Sequence, residues 1–169
     1  MARILLGLGG NLGDRSANLR AAIGGLTRFL NVTAVSPVYE TAPMYVTDQP
    51  AFLNLALTAE TEMAPARLLA ALKFLEQRLG RVSGVRYGPR PIDIDILLFG
   101  DRVEASPELS VPHPRMPERG FVLVPAADVA GDWVHPVVGL SISSMLASLG
   151  TTHDVVAYDA ATTAMAATG

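Results

Sequence analysis

The 169-residue sequence predicts an α+β fold, in which one antiparallel sheet is covered by helices. Two observations favour this class. Strand-like segments occur between two helices that repeat apolar residues every three or four positions, and the elements follow the order strand, helix, strand, strand, helix, strand. That order is the split βαβ arrangement of a ferredoxin-like sandwich, with both helices on a single face of the sheet. A proline-rich segment follows as C-terminal decoration.

The first half of this pattern contains three strands and one helix. Asp14 or Ser16 can cap the helix, because either side chain can accept a hydrogen bond from a backbone N–H group in the first turn. Pro37 has no backbone N–H and therefore indicates that the second strand is an edge strand or contains a bulge. The predicted strands cover Arg3 to Leu8, Val32 to Glu40 and Phe52 to Thr61, and the helix runs from Asp14 to near Asn31.

The second half contains the second helix, the fourth strand and the C-terminal decoration. Pro65 suits the first turn of the second helix, and Gly80 suits its C-terminal end. Residues 1–150 are expected to form a single domain, whereas residues 151–169 lack periodicity and are expected to form a flexible tail. The remaining predicted elements are a strand at Ile92 to Phe99 and short helices at Arg119 to Val129 and Ile142 to Leu149.

Composition excludes several classes of function. Half of the residues are hydrophobic, which is enough for a core, and the 13 basic and 16 acidic residues do not provide the broad positive charge of a nucleic-acid-binding protein. The absence of cysteine excludes disulfides and thiolate chemistry. The sequence has no long apolar run and no signal-peptide pattern. We therefore expect a cytoplasmic monomer that acts on small molecules, without a membrane or nucleic-acid partner.

The most informative segment runs from Tyr87 to Phe99. Residues two apart on a strand share a face, so Asp93 and Asp95 project together, away from the isoleucines between and beside them. Paired carboxylates suit Mg²⁺, which is shared with substrate phosphates, and Arg90 can contact the same phosphates. A pair of aspartates on a strand can also simply face water. The preceding Gly-Pro-Arg turn favours the metal and phosphate interpretation.

The glycines near the N-terminus do not indicate a dinucleotide site. Gly7, Gly9 and Leu12 occupy the three fingerprint positions, so the last glycine is missing. The predicted sheet is also antiparallel, whereas that fingerprint belongs to a parallel, doubly wound sheet. There is no P-loop motif either, so any phosphate must be bound by other means.

Two further groups of residues are candidates for ligand binding. The loop from Val111 to Phe121 contains a histidine and two arginines between prolines, although His113 taken alone is more typical of a surface or capping residue. A second group can form a flat slot with aromatic faces and one polar edge, because an amide such as Asn54 on an apolar strand needs hydrogen-bond partners. That group comprises Thr41, Phe52, Asn54, Tyr87 and Phe121.

Taken together, these segments resemble the 6-hydroxymethyl-7,8-dihydropterin pyrophosphokinase family, from about Ile4 to Pro136. The resemblance implies a ferredoxin-like fold and transfer of pyrophosphate from ATP to a hydroxymethyldihydropterin in folate biosynthesis. The matching segments are Gly9 to Gly13, Tyr39 to Pro43, Asp48 to Asn54, Tyr87 to Phe99, Val111 to His113 and Arg119 to Phe121.

The resemblance also implies roles for individual residues. Asp93 and Asp95 would hold two Mg²⁺ ions, and together with Arg81 and Arg90 they are the catalytic candidates. The residues expected to contact ATP are Arg81, Arg90, His113 and Arg119. Those expected to contact the pterin are Thr41, Ala42, Met44, Phe52, Asn54, Tyr87 and Phe121. The sequence departs from the family in a shorter loop at residues 82–86 and in three side chains. Tyr87 stands where tryptophan is usual, Phe52 where tyrosine can occur, and Pro114 where an aromatic residue can follow the histidine.

Two other functions use some of the same features. A nucleotidyl- or glycosyltransferase could use the two aspartates with a different acceptor, and a nucleotidyltransferase would release inorganic pyrophosphate where the first interpretation requires AMP. A non-catalytic ligand-binding module could adopt the same fold. It would have no use for the aspartates and the surrounding arginines together.

Overall fold

The computed structural model describes residues 1–43, 48–80 and 89–158. Within these ranges one antiparallel sheet has the order β5-β1-β4-β3-β8, with β2 also paired to β4, and β6 pairs with β7 in a separate ribbon. The sheet strands are β1 (Ala2–Gly10), β2 (Asn31–Val35), β3 (Tyr39–Thr41), β4 (Phe52–Thr61), β5 (Asp93–Phe99) and β8 (Val156–Ala157), and the ribbon is β6 (Glu104–Ala105) and β7 (Ser110–Val111).

Four α-helices are found in the described ranges, and local sequence explains where several of them begin and end. Asp14 accepts a hydrogen bond from the Ala17 N–H at 3.1 Å and so caps the first helix, and Pro65 starts the second. Gly80, just beyond the second helix, has a φ of +96°, a backbone conformation that glycine adopts readily. The helices are α1 (Arg15–Leu26), α2 (Pro65–Arg78), α3 (Gly120–Ala130) and α4 (Ile142–Leu149), and a 3₁₀ turn covers Met116–Glu118.

The order of elements confirms the predicted ferredoxin-like arrangement. The central strands β1 and β4 lie next to each other, with β5 on one side and β2 and β3 on the other. One face of this sheet packs against α1 and α2. Leu6, Leu19, Leu72 and Ile94 belong to that core and are all almost completely buried. Alternate residues of the strands must therefore point to the opposite face.

The opposite face has a core of its own. Leu5 and Leu97 from the sheet pack with Leu123 of α3 and Met145 of α4. The C-terminal segment that the sequence predicted as decoration thus covers the second face of the sheet. Because α3 and α4 cover part of that face, the uncovered part forms an open depression beside them, lined by the ends of β1, β4 and β5.

Three details differ from the sequence prediction. The predicted second strand is divided into β2 and β3, because Ser36 bonds to the backbone of Ala56 and Pro37 interrupts the ladder. Helix α1 ends at Leu26, before the predicted end near Asn31. The predicted flexible tail began at residue 151, but Val156–Ala157 pairs with β3. A strand this short is held by backbone hydrogen bonds and leaves no periodic signal. No helix within the described ranges is long and apolar enough to span a membrane.

Candidate active site

A cleft of about 360 Å³ lies on the uncovered part of the second face. Every predicted site residue that the structure describes lines this cleft, although these residues come from β3, β4, β5 and the loops before β5 and α3. They are Thr41, Ala42, Phe52, Asn54, Arg90, Asp93, Asp95, His113, Arg119 and Phe121. Met44, Arg81 and Tyr87 lie outside the described residues. The structure brings the other ten together, and the roles predicted for all of these residues stay predictions.

Glycines in β1 create the space for this cleft. Gly7 lies opposite Asp95 in the sheet and Gly9 lies opposite Asp93. A β-carbon on Gly9 would come within 2.6 Å of the Asn54 Oδ1 atom on the neighbouring strand. A side chain at position 9 would therefore displace the Asn54 amide and fill the floor of the cleft. Glycine within a strand is a signal of close approach by another group, and Gly9 shows that use here.

The two aspartates lie side by side on the edge strand β5. Ile94 and Ile96 point into the core beneath α1 and α2, whereas Asp93 is partly exposed and Asp95 is exposed towards the cleft. Arg90 donates to the Asp93 carboxylate at 2.7 Å, which compensates part of the repulsion between the two carboxylates. The arginine turn and the aspartate pair therefore form one charged unit.

The donor set at β5 fits Mg²⁺ that is held jointly with phosphates. Among the described residues no group of three or more histidine, aspartate or glutamate side chains could hold a metal ion alone. Mg²⁺, however, commonly uses only one or two carboxylates and completes its shell with water and substrate phosphates. Asp93 and Asp95 provide two carboxylates on an open face beside a cleft. A substrate with phosphates would supply the remaining ligands.

A basic wall, formed by His113, Arg115 and Arg119, lines the same cleft as the aspartates. The Arg115 N–H donates to His113 Nδ1 at 3.2 Å, so the ring proton of neutral His113 is assigned to Nε2. Burial, followed by the charges of Arg119 and Arg115, lowers the pKa of His113. His113 is therefore neutral at physiological pH and can donate one hydrogen bond. Arg115 was missed as a site residue, although it lies two positions after the predicted histidine.

Arg119 has an incompletely satisfied guanidinium. Its Nε atom is buried and has no hydrogen-bond partner among the described residues. Its guanidinium carbon also lies 5.5 Å from the centre of the Phe121 ring. A buried donor without a partner is unfavourable by about 1–3 kcal/mol, so a ligand acceptor at this position would be favoured. Arg119 thus connects the basic wall to the aromatic part of the cleft.

The flat end of the cleft has one fixed polar edge. Asn54 is buried, and its Nδ2 atom donates a hydrogen bond to Thr41 Oγ1 at 2.9 Å. Thr41 pairs with Phe52 across the two strands, and Phe121 lines the same cleft from the start of α3. These side chains can contact a flat heterocycle by both its face and its edge. The sequence grouped these residues by chemical type, and the sheet brings them into one slot.

A second cleft of about 260 Å³ lies on the other side of β5. It shares Asp93, Asp95 and His113 with the first, so the two aspartates lie where the clefts meet. Its other walls come from α2 and from the segment around β7, and they include Leu69, Lys73, Glu76, Ile96 and Ser110. No sequence pattern indicated this cleft, because its residues are scattered through helix α2 and a short ribbon.

Glu76 has a structural contact at this junction. Its carboxylate is 6% exposed and accepts a hydrogen bond from the Ile94 N–H at 2.6 Å. Ile94 lies between the two aspartates, on the outer edge of the sheet. Glu76 therefore bonds the Ile94 N–H of the edge strand between the two aspartates. The position of Glu76 on an amphipathic helix did not indicate this contact.

Comparison with known families gives one clear match. The model of the family described as 7,8-dihydro-6-hydroxymethylpterin-pyrophosphokinase matches residues 5–131 of this chain. These residues include the elements from β1 to α3, and with them the described residues of both clefts. The match thus covers the whole candidate site.

Individual relatives agree with the family match. The chain is 40% identical over 137 residues to the 2-amino-4-hydroxy-6-hydroxymethyldihydropteridine pyrophosphokinase of Aquifex aeolicus, covering 81% of this chain and 86% of that protein. It is 48% identical over 129 residues to the mitochondrial folate synthesis bifunctional protein of Pisum sativum, covering 76% of this chain and 25% of that protein. The chain thus spans about a quarter of the length of the pea relative.

A solved structure agrees with the fold. The wild-type Plasmodium falciparum HPPK-DHPS crystal structure with pteroate superposes with a TM-score of 0.73 at 16% identity, covering 87% of this chain and 44% of that one. At this level of identity the likeness concerns the fold alone. It supports the order of strands and helices described above.

Proposed function

The chain belongs to the 7,8-dihydro-6-hydroxymethylpterin-pyrophosphokinase family, and we propose that it transfers a pyrophosphoryl group from ATP to 6-hydroxymethyl-7,8-dihydropterin in folate biosynthesis. The products are AMP and the pterin pyrophosphate. The observation that supports this proposal most directly is the meeting of two clefts at Asp93 and Asp95. A reaction between two substrates at a phosphate needs both substrates to reach the same charged point.

The first cleft suits the pterin. Its flat end offers the aromatic faces of Phe52 and Phe121 and the amide edge of Asn54, which Thr41 holds in one orientation. A pterin is a flat heterocycle with hydrogen-bonding groups along one edge. A ring bound in this slot would present its hydroxymethyl group towards the aspartates, because these lie on the adjoining wall of the cleft.

The second cleft suits the adenosine part of ATP. Its walls combine apolar side chains, such as Leu69, Ile96 and Leu109, with polar and charged ones that include Lys73, Glu76, Glu108 and Ser110. The apolar side chains can contact the adenine ring, and the polar ones can bond its edge and the ribose. With adenosine on this side of β5, the phosphates would extend past Asp93 and Asp95 into the first cleft. There Arg90, Arg119 and the neutral His113 can contact phosphate oxygens. His113 lines both clefts, so it would lie beside the phosphate chain.

The reaction forms one bond and breaks another at the β-phosphorus. The hydroxymethyl oxygen of the pterin bonds to the β-phosphorus, and the bond from that phosphorus to the α,β-bridging oxygen breaks, so that AMP leaves with the bridging oxygen. The hydroxyl proton is lost to solvent or to Asp95. Arg90 and Arg119 would stabilise negative charge on the phosphate oxygens, and in-line placement would supply much of the acceleration.

Two Mg²⁺ ions are part of the proposal. When bound, they neutralise phosphate charge and help to orient the phosphate chain. Asp93 and Asp95 would hold them, and the arrangement of two carboxylates on an open face suits cations that are also coordinated by phosphates. The pairing of Arg90 with Asp93 orients one carboxylate before any substrate binds.

Product analysis with matched variants tests this function. Purified protein is incubated with ATP, Mg²⁺ and the reduced hydroxymethylpterin, and we expect AMP and the pterin pyrophosphate in equal amounts. Asp95→Asn, which keeps the shape of the side chain, should lower turnover at least about 100-fold. Asp101→Asn changes an exposed aspartate in the turn after β5 and should leave turnover unchanged. Inorganic pyrophosphate as product would support a nucleotidyltransferase instead, and full turnover by Asp95→Asn would contradict the metal site.

The two-cleft assignment has a separate test. Leu69→Trp should narrow the second cleft and raise the KM for ATP more than the KM for the pterin. Phe74→Trp enlarges a residue on an exposed part of the same helix, 61% accessible, and serves as the matched control. A larger effect of Leu69→Trp on the pterin would reverse the assignment of the clefts.

The compartment and the oligomeric state are further proposals. We propose a cytoplasmic monomer. Relatives differ in this respect, since the pea protein is named as mitochondrial. Light scattering of the purified protein measures the mass, and a dimer would contradict the proposed state.

A further inference from the structure

The turn after β1, at residues 9–13, does not bind a dinucleotide by its sequence, but it makes direct contact with the arginine turn. The backbone N–H of Asn11 donates to the Arg90 carbonyl oxygen at 3.0 Å, and the Leu12 N–H donates to the same oxygen at 3.2 Å. In return the Arg90 N–H donates to Asn11 Oδ1 at 3.0 Å. Asn11 and its neighbour therefore bond both backbone polar groups of Arg90.

The other end of the Asn11 amide is bonded to a different part of the site. Its Nδ2 atom donates to Gln49 Oε1 at 2.8 Å and to the Pro50 carbonyl oxygen at 2.9 Å. Gln49 and Pro50 lie immediately before β4, which begins with Phe52 of the flat slot. The three bonds use both hydrogens of the amide and its oxygen. Because Asn11 is 2% exposed, the three bonds are made away from water and fix the side chain in one orientation.

Gly10 allows the arginine turn to come this close. A β-carbon on Gly10 would lie 2.2 Å from the Pro91 carbonyl oxygen and 2.8 Å from its carbonyl carbon. No side chain could be accommodated there unless the backbone of Pro91 moved. A glycine followed by a buried asparagine thus forms a seat for residues 90–91.

We infer that Asn11 is a positioning residue that holds Arg90 and the lead-in to the pterin slot in a fixed relation, so that the two substrates meet in line. This inference rests on the proposed function. Asn11 does not itself line either described cleft. Its effect is exerted through the backbone of Arg90 on the phosphate side and through Gln49 and Pro50 on the pterin side.

The contacts of Asn11 with the Arg90 turn and its bonds with Gln49 and Pro50 can be perturbed separately. Gln49→Ala removes one bond on the pterin side and should raise the KM for the pterin about threefold or more, with the KM for ATP unchanged. Gly10→Ala forces residues 90–91 to move and should lower kcat or raise the KM for ATP, with the KM for the pterin less affected. Asn11→Ala removes the three side-chain bonds, to Gln49, to Pro50 and from the Arg90 N–H, and keeps the backbone bonds of residues 11 and 12 to Arg90. It should lower kcat/KM for both substrates, by up to about 100-fold for a displacement near 1 Å.

Matched controls separate positioning from a general loss of stability. Asn31→Ala removes an exposed asparagine that bonds only Glu60 in the described structure, and Gly24→Ala adds a β-carbon that meets nothing within 4 Å. Kinetics are measured well below the melting temperature of each variant. If Asn11→Ala fails to fold, Gln49→Ala and Gly10→Ala decide the question by the split between the two KM values.

The outcomes distinguish this inference from the proposed function. The positioning role is supported if Gln49→Ala mainly raises the KM for the pterin and Gly10→Ala mainly raises the KM for ATP. Variants with lower melting temperatures but unchanged KM and kcat would overturn it and leave a purely structural role. A wild-type protein that forms no AMP from ATP and the pterin overturns the proposed function itself.

Discussion

Replacing Glu76 should destabilise the protein through the backbone of the edge strand β5. In Glu76→Ala the Ile94 N–H loses its 2.6 Å acceptor. Ile94 is only 4% exposed, so a water that replaced the carboxylate would have to enter from the second cleft, which both residues line. A buried donor left without a partner is unfavourable by about 1–3 kcal/mol. Removal of a buried polar side chain offsets part of this loss, because the side chain no longer has to be desolvated. We therefore expect a decrease of about 2 kcal/mol in the free energy of unfolding.

Two control variants test whether the bond to Ile94 causes this loss of stability. Glu76→Gln keeps an oxygen acceptor of the same reach and should lower stability by less than about 1 kcal/mol. Gln77→Ala truncates the next, exposed residue of α2 and should change stability by less than about 0.5 kcal/mol. Urea denaturation gives the free energies, and the expected decrease in melting temperature for Glu76→Ala is about 4–8 °C. If Glu76→Ala and Gln77→Ala are equally stable, the bond to Ile94 does not support the edge strand as argued.

Three further predictions concern pH and a helix cap. Burial, followed by the hydrogen bond to Asp128, raises the pKa of Tyr39 to about 12. The stability that the neutral phenol contributes is therefore complete below pH 10 and is lost between pH 10 and 12. Tyr39→Phe should reduce this loss of stability at alkaline pH, as measured by unfolding experiments. The pKa of His113 is lowered, so the unfolded chain takes up a proton first as pH falls below 6.5, and the ligand-free protein should lose stability there. His113→Gln should show a smaller loss, and an identical pH dependence would contradict the shift. Asp14→Ala removes the cap of α1 and should lower stability by about 1 kcal/mol, whereas Asp14→Asn should retain most of it.

Much of the site was readable from short patterns. The alternation of β5 placed Asp93 and Asp95 on one face, and this held because the isoleucines between them are drawn to the core by burial. The bounds of β4 and α4 were also predicted correctly, since strong periodicity and clear end signals act over a few residues. The slot residues were predicted by chemical type and by resemblance to a family, without any knowledge of their distances.

Other features depend on contacts between distant parts of the chain. The acceptor for Ile94 comes from a helix 18 residues earlier, and the bonds of Asn11 join segments separated by 38 and 79 residues. The division of the second strand at Ser36 and the pairing of β8 with β3 likewise depend on backbone partners far along the chain. A hydrogen bond of this kind leaves no periodic trace, because any residue of suitable polarity can make it.

The sequence by itself determined the class of fold, the two aspartates on one strand face, the arginine turn before them and the family. These follow from local rules: side-chain alternation, helix-end chemistry and runs of residues that occur together in one family. Only the tertiary structure decided that two clefts meet at the aspartates, that glycines of β1 form the floor of one cleft, and that Asn11 bonds both Arg90 and the segment before β4. The physical reason is that cavities and buried polar networks are set by which surfaces the folded chain brings together, and spacing along the chain does not determine that.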